Sequence, residues 1–149
     1  MKLMGSRFDI SVVSIDEELG YINIEEAAAE IIRIEKMISA WDEDSETTLI
    51  NKNAGIKPVK VSLELFKLIE RSKQISELTD GAFDISYSSM DKIWKFDGTM
   101  KKMPTEAEVK KSVSKVGYQK IILNSENQTV FLRQKGMKIS FGAIGKGFA

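Results

Sequence analysis

Residues 137–149 read MKISFGAIGKGFA, and they indicate how the chain is built. Apolar and polar residues alternate over 137–141, which is the pattern of a half-buried strand. Glycines at 142, 145 and 147 follow. A glycine-rich exit from a strand, carrying apolar residues, normally opens a helix that packs back on the sheet. Because the sequence stops within that segment, we expect the chain to be truncated.

Other strands are predicted upstream of this segment. Residues 120–123 and 129–132 are rich in β-branched and apolar side chains and are joined by a polar turn at 124–127. With residues 137–141 they predict an antiparallel meander of three successive strands. Residues 8–14 also alternate and predict a strand near the start of the chain.

Three helices are predicted from their capping residues. Asn23, with Glu26 three positions on, predicts a helix that runs to about Ser39. Ser62 predicts a second helix, which ends at residues 80–81, and the pair Thr105 and Glu108 predicts a third, which ends at Gly117. A short helical stretch is indicated by the spacing of Met90, Ile93 and Trp94. Strands and helices do not alternate regularly, so the sequence predicts an α+β fold, with residues 1–149 forming a single domain or part of one.

The composition narrows the possible functions. The 149 residues are 42% hydrophobic, enough for one core, and the 22 basic residues equal the 22 acidic ones. No overall field therefore draws the chain to nucleic acid or to an anionic membrane. The absence of cysteine and histidine excludes disulfides, thiolate catalysis and metals held by those residues. Acid–base chemistry is left to carboxylates, lysines or tyrosines, and any metal would be a hard, oxygen-ligated ion such as magnesium.

The glycine-rich segment is the first candidate site. Its glycines would let backbone N–H groups approach a phosphate, and Lys146 adds a positive charge. The spacing G-x-x-G-x-G matches neither the dinucleotide-binding fingerprint nor the Walker A loop. The residues alone leave two interpretations open, a phosphate cradle or a tight turn with a solvated lysine.

Four other residues are candidates for a ligand site or for the core. Asp80 suits a local cap, whereas Asp84, between Phe83 and Ile85, is expected to face a cleft or a hydrogen-bond network. Trp41 could be a core plug or a stacking platform for a planar ring. Met4 could anchor the core or touch a ligand through its thioether.

Four segments, in this order, resemble the ApbE family of FAD:protein FMN transferases, also labelled thiamine-biosynthesis lipoproteins. They are residues 4–8 (MGSRF, against a family pattern M-G-T-x-F), 38–51, 79–84 (TDGAFD) and 139–149 (ISFGAIGKGFA). The resemblance runs along the whole chain but covers only about the first half of a family member. It implies an α+β, T-fold-related architecture, of which residues 1–149 would be the N-terminal part.

The resemblance also implies a reaction and a set of site residues. The reaction is transfer of FMN from FAD to a threonine or serine hydroxyl of a target protein, with release of AMP and with magnesium bound. The residues that would contact FAD are Met4, Trp41, Ala82, Phe83, Asp84, Gly142, Lys146 and Phe148. The carbonyl of Gly145 would bind the metal, whose side-chain ligands belong to the family's C-terminal half. We therefore expect this segment to be inactive alone, and no catalytic residue is assigned.

The partner and the location follow from the resemblance alone. The target would be a protein with a flavinylation motif, such as a redox-complex subunit; that motif does not occur here. Family members are commonly tethered at the bacterial envelope, but this chain shows no signal peptide, so a membrane anchor would need a leader that precedes it. Two alternatives keep the same motifs: a non-catalytic FAD-binding module and an FAD pyrophosphatase.

Overall fold

The computed structural model describes residues 1–94 and 96–149. Its strands are β1 (Lys2–Leu3), β2 (Ser6–Arg7), β3 (Val59–Lys60), β4 (Ile121–Asn124) and β5 (Thr129–Leu132). Its α-helices are α1 (Glu17–Ile38), α2 (Glu46–Lys52), α3 (Leu63–Leu78), α4 (Glu106–Val113) and α5 (Gly145–Phe148), and two 3-10 helices span Ile85–Ser89 and Tyr118–Lys120. Helices and antiparallel strands are mixed, which confirms the α+β prediction. No helix among the described residues is long and apolar enough to cross a membrane.

The larger sheet has three antiparallel strands in the order β3-β5-β4. Val130 in the middle strand faces Val59 on one side and Leu123 on the other. One core lies between this sheet and the helices. Its buried members are Ile34, Met37, Ile38, Ile50, Ala54, Val59, Val61, Leu65, Phe66, Leu68, Ile69, Ile85, Ile121, Val130, Leu132, Met137, Ile139 and Phe141.

The predictions based on caps and on the central hairpin are largely confirmed. Ser62 caps α3 by accepting a hydrogen bond from the N–H of Leu65, and Thr105 and Glu108 form the predicted capping box of α4. Strands β4 and β5 lie within one residue of their predicted bounds. Helix α4 ends at Val113 rather than near Gly117. Helix caps and a tight hairpin depend on residues that are close together in the sequence, which explains why a local pattern predicts them.

Three predictions about secondary structure are wrong, and one helix was not predicted. Residues 8–14 form no strand and are largely exposed, because no strand in the described part of the chain pairs with them. Helix α1 begins at Glu17, since the carboxylate of Asp16 accepts the N–H of Leu19 and caps it earlier than Asn23 would. Residues 46–52 are a helix capped by Ser45, although no helix was predicted there. Residues 90–94 are not helical; the short helix lies earlier, at Ile85–Ser89.

A salt-bridge cluster links α1 to α3 at the surface. The guanidinium of Arg33 donates hydrogen bonds to both carboxylate oxygens of Glu64, at 2.8 and 2.7 Å, and to Glu30 on its own helix at 2.8 Å. These bonds lower the pKa of Glu30 and the pKa of Glu64 from the ordinary value of 4.5 and raise the pKa of Arg33. The cluster therefore ties two helices together in a pH-dependent way.

Candidate functional site

The segment that precedes the glycines, residues 137–141, is not a strand, so this prediction also needs correction. Met137 and Ile139 are fully buried and Lys138 between them is exposed, as the alternation predicts. Their hydrogen-bond partners, however, are mainly side chains. The amide of Asn51 exchanges two hydrogen bonds with the backbone of Ile139, and the hydroxyl of Ser89 exchanges two with the backbone of Lys138. The predicted meander of three successive strands is therefore not formed. Strands β4 and β5 form a hairpin, and the third strand of their sheet is β3.

The glycine-rich segment turns directly into a short helix. The N–H groups of Ile144 and Gly145 both donate to the carbonyl of Phe141, at 3.0 and 2.6 Å, and this turn opens α5. Gly145 is buried against α1, because a Cβ atom there would lie 2.7 Å from Cδ1 of Ile38. Gly142 has no atom within 4 Å of the same position. Gly145 therefore serves packing, while the backbone at Gly142 is open to a ligand.

Three adjoining cavities meet at Ser140, which contributes to the wall of each. We name the first, of about 610 Å³, the lysine groove. Its lining residues are Ala40, Trp41, Thr48, Asn51, Lys52, Tyr87, Ser88, Met90, Lys92, Lys138, Ile139 and Ser140.

The other two cavities hold most of the predicted site residues. The Phe83 hollow, of about 490 Å³, is lined by Gly81, Ala82, Phe83, Asp84, Ile85, Tyr87, Val116, Ser140, Gly142 and Ala143. The Met4 hollow, of about 330 Å³, is lined by Met4, Gly5, Glu35, Ile38, Ser39, Ala40, Trp41, Ser140, Phe141, Gly142, Gly145 and Lys146. Gly142 is common to both, so the two hollows are neighbours on either side of the glycine turn.

Phe148 is the predicted residue that is not brought to these hollows. It is partly buried, packs against the core, and lines a separate cavity beside α3 together with Leu68 and Ile75. As the last residue of α5, Phe148 thus joins this short helix to the core beside α3.

Trp41 lies on the surface, so the interpretation of this residue as a core plug is wrong. Its side chain is 88% exposed. The hydroxyl of Ser39 accepts hydrogen bonds from the N–H groups of Trp41 and Asp42, at 3.2 and 3.1 Å, and holds the loop that carries the ring. The ammonium of Lys92 lies 5.9 Å from the ring centroid, within cation–π range. An exposed indole held by a fixed loop is suited to stacking on a planar ligand.

Asp84 takes part in a hydrogen-bond network, as predicted. One carboxylate oxygen accepts the N–H of Ser86 at 2.7 Å, and the other accepts the N–H of Tyr118 at 2.7 Å. The hydroxyl of Ser86 in turn accepts the N–H of Gly117 at 2.8 Å. These bonds cap the 3-10 helix and fasten it to the chain before β4. Each oxygen keeps a further lone pair for a ligand in the Phe83 hollow.

Met4 occupies a strained position at the tip of the β1–β2 hairpin. Its φ is 47°, and Gly5 beside it has a φ of 70°. The N–H of Met4 donates to the carboxylate of Glu35 on α1 at 2.9 Å, which holds the hairpin against the helix. A non-glycine residue with positive φ is uncommon and is often found at functional sites.

Sequence reasoning gave no role to several residues of these cavities. Asn51 is the last residue of the family segment 38–51, but its contact with Ile139 spans 88 residues and no local pattern reveals it. Lys52, Lys92 and Lys138 come from three separate parts of the chain and meet only in the lysine groove. Ser140 was part of the predicted strand, where the alternation gave no sign of a ligand cavity.

The metal ligand predicted in this part of the protein is a backbone carbonyl rather than a carboxylate. Over residues 1–94 and 96–149, no group of three or more aspartate, glutamate, histidine or cysteine residues could hold one. The carbonyl of Gly145, the predicted metal ligand, accepts the N–H of Ala149 at 3.1 Å and retains one lone pair. Among the described residues, this carbonyl oxygen is thus not joined by a cluster of acidic side chains that would complete a magnesium site.

Comparison with known proteins supports the resemblance. The model of the ApbE family matches residues 4–149. An FAD:protein FMN transferase of Klebsiella pneumoniae is 32% identical over 146 residues, covering 98% of this chain and 45% of that protein. One from Treponema pallidum is 29% identical over 130 residues, covering 84% of this chain and 36% of that protein.

A solved structure supports the fold. The ApbE protein of Thermotoga maritima superposes with a TM-score of 0.73 at 30% identity, covering 89% of this chain and 43% of that one. The chain spans less than half the length of each of these three relatives.

Proposed function

The chain belongs to the ApbE family, and on that premise we propose that the whole protein is an FAD:protein FMN transferase. Residues 1–149 would form part of a single catalytic domain and contribute one wall of its FAD site. The proposal rests on one observation, namely that residues from distant parts of the chain line two neighbouring cavities. Segments that are separated by up to about 140 residues place Met4, Trp41, Ala82, Phe83, Asp84, Gly142, Gly145 and Lys146 around two hollows that share Gly142.

The hollows suit different parts of FAD. Trp41 offers an exposed indole face for the isoalloxazine ring. Gly142 leaves its backbone open, and Lys146 is exposed beside it, so this turn suits the diphosphate. The segment Ala82–Phe83–Asp84 would lie along the cofactor on the other side of Gly142.

The proposed reaction is a phosphoryl-type transfer. A threonine or serine hydroxyl oxygen of the acceptor forms a bond to the phosphorus on the FMN side of the diphosphate. The bond from that phosphorus to the bridging oxygen breaks, AMP leaves with that oxygen, and the hydroxyl proton is released. Negative charge develops on the phosphoryl oxygens, and N–H donors and the lysine at the glycine turn would stabilise it.

Magnesium is a separate part of the proposal. When bound, it would neutralise charge on the diphosphate. The Gly145 carbonyl would be one ligand, and the others would come from the diphosphate, from water or from elsewhere in the whole protein, since magnesium commonly keeps several such ligands. The acceptor would be a protein with an accessible threonine or serine, for which a redox-complex subunit is a candidate.

The test is to incubate the whole protein with FAD, magnesium and a candidate acceptor domain. We expect the mass of the acceptor to rise by the FMN group and an equal amount of AMP to appear. FAD that is bound but unchanged would instead indicate a binding module. AMP and free FMN formed without an acceptor would indicate a pyrophosphatase. Either result would overturn the transferase proposal.

A further inference from the structure

The lysine groove has a charge that the proposed FAD contacts do not explain. Lys52, Lys92 and Lys138 line it, and no aspartate or glutamate does so among the residues that the structure describes. Of the predicted FAD contacts, Trp41 alone reaches this groove; the others lie in the two hollows or, for Phe148, in the cavity beside α3. The largest of the cavities around Ser140 is therefore cationic and has no assigned ligand.

The three lysines are weakly neutralised. The ammonium of Lys52 is 3.8 Å from the carboxylate of Glu43, which is 89% exposed and lies outside the groove lining. Within the described ranges, Lys92 and Lys138 form no ion pair, and the charge of Lys92 faces the ring of Trp41. Three like charges around one concave surface raise the local potential and attract a negatively charged ligand.

The groove is held in shape by the backbone that carries these lysines. Lys52 is the last residue of α2, and Asn51 next to it is bonded to Ile139. The backbone of Lys138 is bonded to Ser89 through both its N–H and its carbonyl. The lysine stems, with Trp41 and Tyr87, add apolar walls that an extended chain segment could lie against. A site of this kind needs little reorganisation on binding.

We propose that the lysine groove binds an acidic segment of the acceptor protein. This inference rests on the proposed transferase function, because it names the surface that receives the acceptor. Trp41 and Ser140 are walls of both the groove and the Met4 hollow, so a segment in the groove would lie directly beside the proposed FAD site. The charge would speed encounter and favour acceptors whose hydroxyl is flanked by carboxylates.

The test uses two short labelled peptides with one threonine each, flanked by aspartates in one and by asparagines in the other. Binding to the whole protein is followed by fluorescence anisotropy without FAD, at low and at high salt. The variant carries Lys52→Gln, Lys92→Gln and Lys138→Gln. The matched control carries Lys57→Gln, Lys101→Gln and Lys102→Gln, which removes the same charge from exposed lysines outside the groove lining.

We expect the protein to prefer the aspartate peptide and the groove variant to bind that peptide about tenfold more weakly, because three exposed charge pairs are lost together. The control should keep the preference, replacement of the same three lysines by arginine should restore it, and high salt should reduce it. Circular dichroism and FAD titration should give the same result for all variants.

Equal binding of the two peptides, or an equal loss in the control, would overturn the inference. So would a groove variant that loses FAD affinity and keeps the peptide preference, since the lysines would then serve the diphosphate. Failure of the proposed function looks different. It is an absence of FAD binding or of FMN transfer in the unmodified protein, and the peptide preference is measured independently of both.

Discussion

Asn51 and Ile139 are 88 residues apart in the chain and exchange two hydrogen bonds. Nδ2 of Asn51 donates to the Ile139 carbonyl at 3.0 Å, and the N–H of Ile139 donates to Oδ1 of Asn51 at 2.8 Å. A side-chain amide here makes the pair of bonds that a neighbouring strand would make. It fastens α2 to the segment that leads into Ser140 and the glycine turn, and so fixes the point where the three cavities meet.

Replacing Asn51 by alanine should therefore destabilise the protein and loosen this segment. The change leaves the buried N–H and carbonyl of Ile139 without a partner, which should lower the free energy of unfolding by about 1–3 kcal/mol. Urea unfolding gives that value, and hydrogen exchange at the Ile139 amide should be faster. Asn53→Ala is the matched control, because among the described residues the Asn53 side chain bonds only to the nearby carbonyl of Leu49 in α2. Equal losses in both variants would contradict the prediction.

Trp41→Ala should weaken FAD binding and leave the stability of the fold nearly unchanged. Because the side chain is 88% exposed, we expect the free energy of unfolding to change by no more than about 0.5 kcal/mol. Loss of ring stacking should weaken FAD binding by roughly tenfold or more, measured by titration of flavin fluorescence with the whole protein. Tyr21→Ala removes another exposed aromatic ring, on α1, and should leave FAD affinity unchanged. A large loss of stability in the Trp41 variant would show that the ring supports the fold.

Gly142→Ala tests the glycine turn. A Cβ atom at this position meets nothing within 4 Å, so the fold should tolerate it, and reduced freedom of the unfolded chain could add up to about 1 kcal/mol of stability. FAD affinity should nevertheless fall on the order of tenfold, since the methyl group would occupy the space where the diphosphate meets the backbone. Calorimetry with FAD and magnesium measures this affinity. Unchanged affinity would remove Gly142 from the proposed site.

Gly55→Ala is a control for that experiment in which we expect the reverse outcome, a loss of stability with normal FAD affinity. Gly55 has a φ of 71°, and a Cβ atom there would lie 2.7 Å from Cα of Lys135. A clash with backbone cannot be relieved by a rotamer change, so this variant should lose stability. FAD affinity of the molecules that remain folded should be normal, because Gly55 lines none of the cavities around Ser140.

Arg33→Met should reduce stability at neutral pH and have little effect in acid. In the folded protein the guanidinium lowers the pKa of Glu30 and the pKa of Glu64 below 4.5, so the unfolded chain binds more protons as the pH falls through that range. The stabilisation is present above the unfolded pKa and is lost as pH falls through the lowered values. The groups are exposed, so the effect should be small and should weaken with salt.

Urea unfolding at several pH values would measure this effect. Arg71→Met is the matched control, because Arg71 donates to the neutral side chain of Gln74 and its removal should give a pH-independent change. A difference between the Arg33 variant and the unmodified protein that persists in strong acid would contradict the prediction.

The family and the local elements could be predicted from the sequence. Caps such as Ser62 and the pair Thr105–Glu108 act within one helical turn, and the hairpin of β4 and β5 needs only a short polar turn between alternating strands. The four segments that resemble the family identified the candidate site residues, because the order of these segments along the chain is itself a recognisable pattern. That residues 1–149 are part of one larger domain stays a prediction.

Which segments lie together was decided by the tertiary structure. An extended segment needs hydrogen-bond partners that lie far away in the chain, and alternation does not say which groups will supply them. Residues 8–14 have no partner strand in the described structure, whereas Asn51 and Ser89 supply the partners of residues 138–139. Packing likewise left Trp41 exposed, placed Phe148 beside α3 and brought three distant lysines to one groove, because exposure and proximity depend on the whole fold.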